Sequence, residues 1–127
     1  MSNILNRESV NDTAKLIMHR LIARELLRDP SLVERARAVL EKTAVRFPDR
    51  SFIRDWQLVL QRPVNEIVSV LVDRGQEARR LRLSSPFVLA EGIDFKDVTL
   101  RRRIGRAARR VAARGAAGSE RARLVRA

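Results

Sequence analysis

Apolar residues recur along this chain at three- and four-residue spacing in five successive stretches, and each stretch ends at a residue poorly suited to continue a helix. Ala14, Ile17, Met18, Leu21, Ile22 and Leu26 form the first stripe, with Asn11 or Asp12 placed to cap it and an end expected near Arg28. Asp29-Pro30 stops that helix and opens the next, because proline fits only the first turn and Asp29 can accept from amides left without partners. Ser31 with Glu34 offers a competing capping-box register. The second helix carries Leu32, Ala36, Val39, Leu40 and Thr43 on one face and ends near Arg46.

Phe47-Pro48-Asp49-Arg50-Ser51 interrupts the period, and Ser51 is the expected cap of a third helix bearing Phe52, Ile53, Trp56, Val59 and Leu60. Pro63 at a first helical position opens a fourth, with Val64, Ile67, Val68, Leu71 and Val72 inward and Glu66 near the positive end of the dipole. Gly75 breaks it. A short fifth helix from about Gln76 to Arg82 stops at Ser84-Ser85-Pro86, because the residue before a proline disfavours the helical region, and Phe87 follows as a packing anchor. Residues 88–97 read as a loop or one short extended piece with no hairpin signal.

From Asp97 or Thr99 the helical period returns in different company. Leu100, Ile104, Ala108 and Val111 form a narrow stripe among Arg101, Arg102, Arg103, Arg106, Arg109, Arg110 and Arg114. Gly115-Ala116-Ala117-Gly118-Ser119 is the expected end, with a disordered remainder to Ala127. The fold class expected is all-α: a bundle of about five helices within 1–97, then a basic C-terminal helix or arm over 98–127. A bundle of this size is marginal but viable, and a homo-oligomer or a bound partner would cover what it leaves exposed.

Charge sharpens this division. The 127 residues carry a formal net charge of +12, but 10 of the 27 basic residues and only Glu120 of the 15 acidic ones fall in 98–127, leaving a near-neutral body. The arm suits an anionic partner: nucleic-acid phosphates, a membrane surface or an acidic protein face. A solvated tail is the plainer alternative. Arginine outnumbers lysine 24 to 3, a bias that either a GC-rich coding sequence or a need for bidentate guanidinium contacts produces. As a membrane-surface helix the arm is poor, because its sizeable apolar groups are only Leu100, Ile104 and Val111.

Composition argues against catalysis, and no cofactor or metal is expected. With no Cys and His19 as the only imidazole, thiol chemistry, cysteine zinc sites, a serine-histidine triad and multi-histidine metal sites have almost no basis. Glycines at 75, 92, 105, 115 and 118 do not form a phosphate loop. The carboxylate pairs worth weighing, Glu34 with Glu41 and Asp55 with Glu66, read as solvated helix-face charges, and His19 reads as a boundary residue of the first stripe. Trp56, on one face with Phe52 and Leu60, reads as a core or interface anchor, as does Phe87, rather than as a base-stacking platform. The two short helices around Pro63 loosely have the form of a helix-turn-helix, but the second is too apolar to read base edges. No apolar run approaches the roughly 18 residues that span a bilayer, and the N-terminus lacks a secretory apolar region, so a cytoplasmic protein is the expectation.

Three motifs carry a resemblance. Asp29-Pro30-Ser31-Leu32 through Ala36-Arg37, then Trp56 with Leu60 and Pro63, then Leu81-Arg82-Leu83-Ser84-Ser85-Pro86-Phe87 follow one another as in a family of small bacterial helical proteins. Over about residues 14–87 the chain resembles these antitoxin-type partners, often encoded beside a toxin gene. The resemblance implies a non-enzymatic protein that binds and neutralises a toxin-like partner, with DNA binding for autoregulation in view. Antitoxin tails that cover a nuclease are often acidic; this cationic one would suit an acidic toxin face or operator DNA. A stand-alone nucleic-acid-binding regulator is the alternative.

Overall fold

The computed structural model describes residues 7–126, with side chains described as far as residue 115. Six α-helices follow one another: α1 (Arg7–Arg28), α2 (Leu32–Arg46), α3 (Ser51–Leu60), α4 (Val64–Val72), α5 (Gln76–Arg82) and α6 (Val98–Arg126), with a 3-10 turn at Pro86–Val88. No strand occurs among the described residues. The protein is all-helical, as its periodicity predicts.

The first four apolar stripes lie on α1 to α4, the short fifth helix runs over its expected span, and the joints between α1 and α5 fall within one or two residues of expectation. Asp29 does close the α1–α2 joint: its carboxylate accepts from the Ser31 amide at 3.2 Å and the Ser31 hydroxyl at 2.5 Å, while Arg35 donates to it at 2.6 Å. Those contacts, the Ser31 hydroxyl first, hold the Asp29 carboxyl below the ordinary carboxylate range. Arg35 also donates to the Glu91 carbonyl at 2.8 Å, which ties the loop after the 3-10 turn to this joint.

Several boundaries differ from the expectation. Helix α1 begins at Arg7, so Asn11 and Asp12 lie inside it; Glu8 in its first turn complements the dipole. Ser51 is the first residue of α3 and not its cap, a place taken by Arg50 with extended backbone. Pro63 occupies the cap of α4, with ψ at 152°, and the helix starts at Val64.

Helix α1 is the hub, with α4, α5 and α6 packed along it, while α2 packs on α3 and on the 3-10 turn. The core is continuous across these contacts: Ile22 and Leu26 of α1, Leu32, Ala36 and Leu40 of α2, Trp56 and Leu60 of α3, Ile67 and Leu71 of α4, Leu81 of α5, and Phe87. Ile104 of α6 belongs to it, and Leu100 packs against it. The separation of 98–127 from the body as an arm therefore needs correcting for its first half, whose stripe docks on the bundle. That stripe is Leu100, Ile104, Ala108 and Ala112; Val111, expected inward, is exposed because a strict four-residue step from Ala108 reaches Ala112. The helix also continues through Gly115 and Gly118 to Arg126, past its expected end. Glu120, the arginines beyond Arg114 and the tail residue Ala127 lie outside what the structure describes of side chains.

Candidate functional site

Helix α6 starts where Asp97 folds back on it: the carboxylate accepts from the Thr99 amide at 3.2 Å, and the Asp97 carbonyl accepts from the Arg101 amide at 2.9 Å. From there the four-residue step of Leu100, Ile104, Ala108 and Ala112 fixes which side meets the bundle. The remaining positions face water. Arg101, Arg102, Arg103, Arg106, Arg109, Arg110 and Arg114 are all exposed. The structure thus gathers all seven sequence-selected arginines on the solvent side of one anchored helix.

Among the described residues none of the seven forms an ion pair. The ion pairs that form lie elsewhere: Glu25 with Arg28 at 3.6 Å, Asp29 with Arg35, Glu34 with Arg37 at 2.6 Å, Asp12 with Arg79 at 3.7 Å, and Asp55 and Glu77 with Arg80. Like charges three and four residues apart, such as Arg102, Arg106 and Arg110, repel one another by roughly 0.2–0.5 kcal/mol per pair. An anion laid along this face removes that repulsion and gains charge-assisted hydrogen bonds. Within it, Val98, Arg101, Arg102, Gly105, Arg106 and Arg109 line an open depression of about 550 Å³.

The aromatic residues do a different job. Trp56 is fully buried, with its indole Nε1 donating to the Leu81 carbonyl at 3.1 Å. Leu60 and Phe87 are also buried, and Phe52 is partly buried against the same core. No described aromatic lies on α6.

Two polar side chains escaped the sequence reading. His19 is completely buried, not at a boundary: its Nδ1 donates to the Lys15 carbonyl at 2.7 Å, and Nε2 has no partner. Burial is the chief cause that pushes its pKa down to about 4. Arg82, 5% exposed, donates to the Asp73 carbonyl at 2.6 Å and the Leu71 carbonyl at 3.3 Å, closing the C-terminus of α4. The three- and four-residue steps from His19 to Ile22 and Ala23 were the available signal for the first. Arg82 had none.

The weighed carboxylates are exposed or paired with arginine, with Glu34 held by Arg37 and Asp55 by Arg80. No group of three or more His, Cys, Asp or Glu among the described residues is arranged to hold a metal ion. No helix there is long and apolar enough to cross a membrane. A second depression, of about 380 Å³, runs between α3, α4 and α5 over Leu58, Val59, Val70, Ala78 and Leu81. No family model, curated protein or solved structure matches this chain.

Proposed function

We propose that this protein is a non-enzymatic binding protein that engages the phosphate backbone of nucleic acid through the arginine face of α6. The observation that carries the reading is the set of seven exposed guanidinium groups without carboxylate partners among the described residues, on a helix anchored by Ile104 and Ala108. Arginine presents a planar fork that matches phosphate oxygens, and an anchored helix holds the forks in place before the partner arrives. The face suits positioning on the backbone more than reading of bases, since no asparagine, glutamine or aromatic accompanies the arginines there.

Fluorescence anisotropy of the whole chain with a mixed-sequence 20-base-pair duplex tests this. Three to six phosphate contacts give a slope of about −3 to −5 in log affinity against log salt concentration. Binding that is absent at low salt, or insensitive to salt, overturns the reading.

The antitoxin-type role is a second reading, favoured by the groove between α3, α4 and α5, where Leu58 is 53% exposed. In that role a toxin-like protein is neutralised and the arginine face serves its acidic surface or operator DNA. A complex with the product of an adjacent gene that persists at moderate salt, where apolar area is buried, distinguishes the two.

A further inference from the structure

Glycine is among the poorest residues for a helix interior, and one that stands there without a packing reason needs another explanation. Gly105 is such a residue. It sits two turns into α6, and a Cβ at this position would meet only the Nη1 of Arg109, at 3.6 Å, which is ordinary contact. Neither α1 nor any other element requires the glycine. Its missing side chain instead forms the floor of the depression rimmed by Arg101, Arg102, Arg106, Arg109 and Val98.

These residues stand at −7, −4, −3, +1 and +4 from Gly105, steps that keep most of them on one flank of the helix across three turns. Four arginine side chains thus line a spot, with the Arg109 Nη1 3.6 Å from where a Cβ would stand, at which an oxyanion can approach the helix more closely than an alanine would allow. We infer that Gly105 with Arg101, Arg102, Arg106 and Arg109 is a seat for one backbone phosphate of double-helical nucleic acid. The inference rests on the nucleic-acid reading and adds where the closest contact falls and what form the partner takes.

The double-helical form follows from what the face lacks. Single-strand binders hold bases on exposed aromatic rings. Here Trp56, Phe87 and Phe95 are buried, and the 41%-exposed Phe47 lies at the end of α2 with the Arg46 guanidinium 5.2 Å over its ring. A lipid phosphate is less suited, because Val98 and Val111 are the only large exposed apolar groups of the described part of α6.

The test compares wild type, Gly105→Ala and Gly105→Leu as full chains, by thermal unfolding and by anisotropy with a 20-base-pair duplex, a single strand of equal length and vesicles containing 30% anionic lipid as probes. Gly105→Ala is expected to unfold at a higher temperature and yet bind the duplex about tenfold more weakly, the scale of one lost close phosphate contact. Gly105→Leu is expected to bind more weakly still, with helicity unchanged. Salt-sensitive duplex binding that is equal in all three proteins overturns the seat while leaving the nucleic-acid reading intact. A wild type that fails to bind any nucleic acid overturns that reading itself. Binding to the single strand or to the vesicles as tight as to the duplex, and equally sensitive to residue 105, overturns the double-helical assignment.

Discussion

Trp56 meets Phe87 edge to face, with ring centroids 6.0 Å apart and planes inclined at 70°. This contact joins α3 to the 3-10 turn after α5, and the indole N–H hydrogen bond to the Leu81 carbonyl adds the C-terminal end of α5. Three elements, α3, α5 and the 3-10 turn, thus converge on one side chain with no exposed surface. Trp56→Ala is expected to lower stability by about 3–5 kcal/mol, the usual range for emptying a large aromatic site in a core. Trp56→Phe retains the ring but forfeits the hydrogen bond and some volume, so a loss of about 1–3 kcal/mol is expected. Urea unfolding midpoints read both, and a nearly neutral Trp56→Ala would show that the indole does not anchor the core.

Ile104 is 7% exposed and shares the core with residues of α1. Removing α6 therefore uncovers the hub helix, contrary to the division that charge alone suggests. Ile104→Ala is expected to cost about 2–5 kcal/mol. A chain ended after residue 97 is expected to lose cooperative unfolding, whereas one ended after Gly115 keeps it along with most of the arginine face. Circular dichroism at 222 nm during heating separates the cases: an unchanged midpoint after truncation at 97 would return α6 to the status of an appendage.

The fold was legible wherever bulky side chains repeat at helical spacing. Ile22 with Leu26, Ile53 with Trp56, and Ile67 with Leu71 are buried as their spacing predicts, and Pro30 and Gly75 fall at breaks. What escaped did so for physical reasons. The docking surface of α6 relies on Ala108, fully buried, and Ala112, 8% exposed. Alanines let helix axes approach closely but contribute little to an apolar pattern, so the period that correctly includes Ala108 points next to the bulkier Val111 and not to Ala112. Caps turned on backbone angles at Arg50 and Pro63 that the side-chain types Ser51 and Pro63 only bracket. The arginines of the candidate site were legible one by one. Their shared freedom from carboxylates was not, because it depends on where the acidic groups end up, such as Asp12 of α1 and Asp55 of α3 meeting Arg79 and Arg80 of α5.

The buried imidazole of His19 links stability to pH. Burial, with the charges of Arg82 and Lys15 adding to it, lowers the folded-state pKa from 6.5 to about 4, against a backbone hydrogen bond that works the other way. The folded protein thus favours the neutral ring, while the unfolded chain takes up a proton below 6.5. This contribution to stability is complete above pH 6.5, declines as the pH falls from 6.5 to 4, and changes no further below that, with a total of about 3 kcal/mol. His19→Leu removes the unpaired Nε2 and is expected to be at least as stable as wild type at pH 5. Denaturant midpoints at pH 7, 5.5 and 4.5 check this; a decline of equal steepness in the variant would assign the pH dependence to other groups.

Arg82 closes α4 from the neighbouring helix, a buried cation that spends its hydrogen bonds on the carbonyls of Leu71 and Asp73 and not on a carboxylate. The negative end of the α4 dipole compensates its charge, which is why the pair of helices tolerates it inside. Arg82→Met keeps the length and loses the donors, so a cost of about 1.5–3 kcal/mol is expected from the unpaired carbonyls. Arg82→Lys restores the charge without the fork and is expected to recover only part of that. The same substitutions report on His19, because the charge of Arg82 helps to keep the ring neutral. Losing that charge in Arg82→Met raises the imidazole pKa from about 4, while burial, the larger cause, keeps it below 6.5. With one histidine in the chain, its ring resonances in an NMR titration are unambiguous. An upward shift in Arg82→Met that is largely reversed in Arg82→Lys would establish that the two buried groups are electrostatically coupled, and identical titrations in all three proteins would show that they are not.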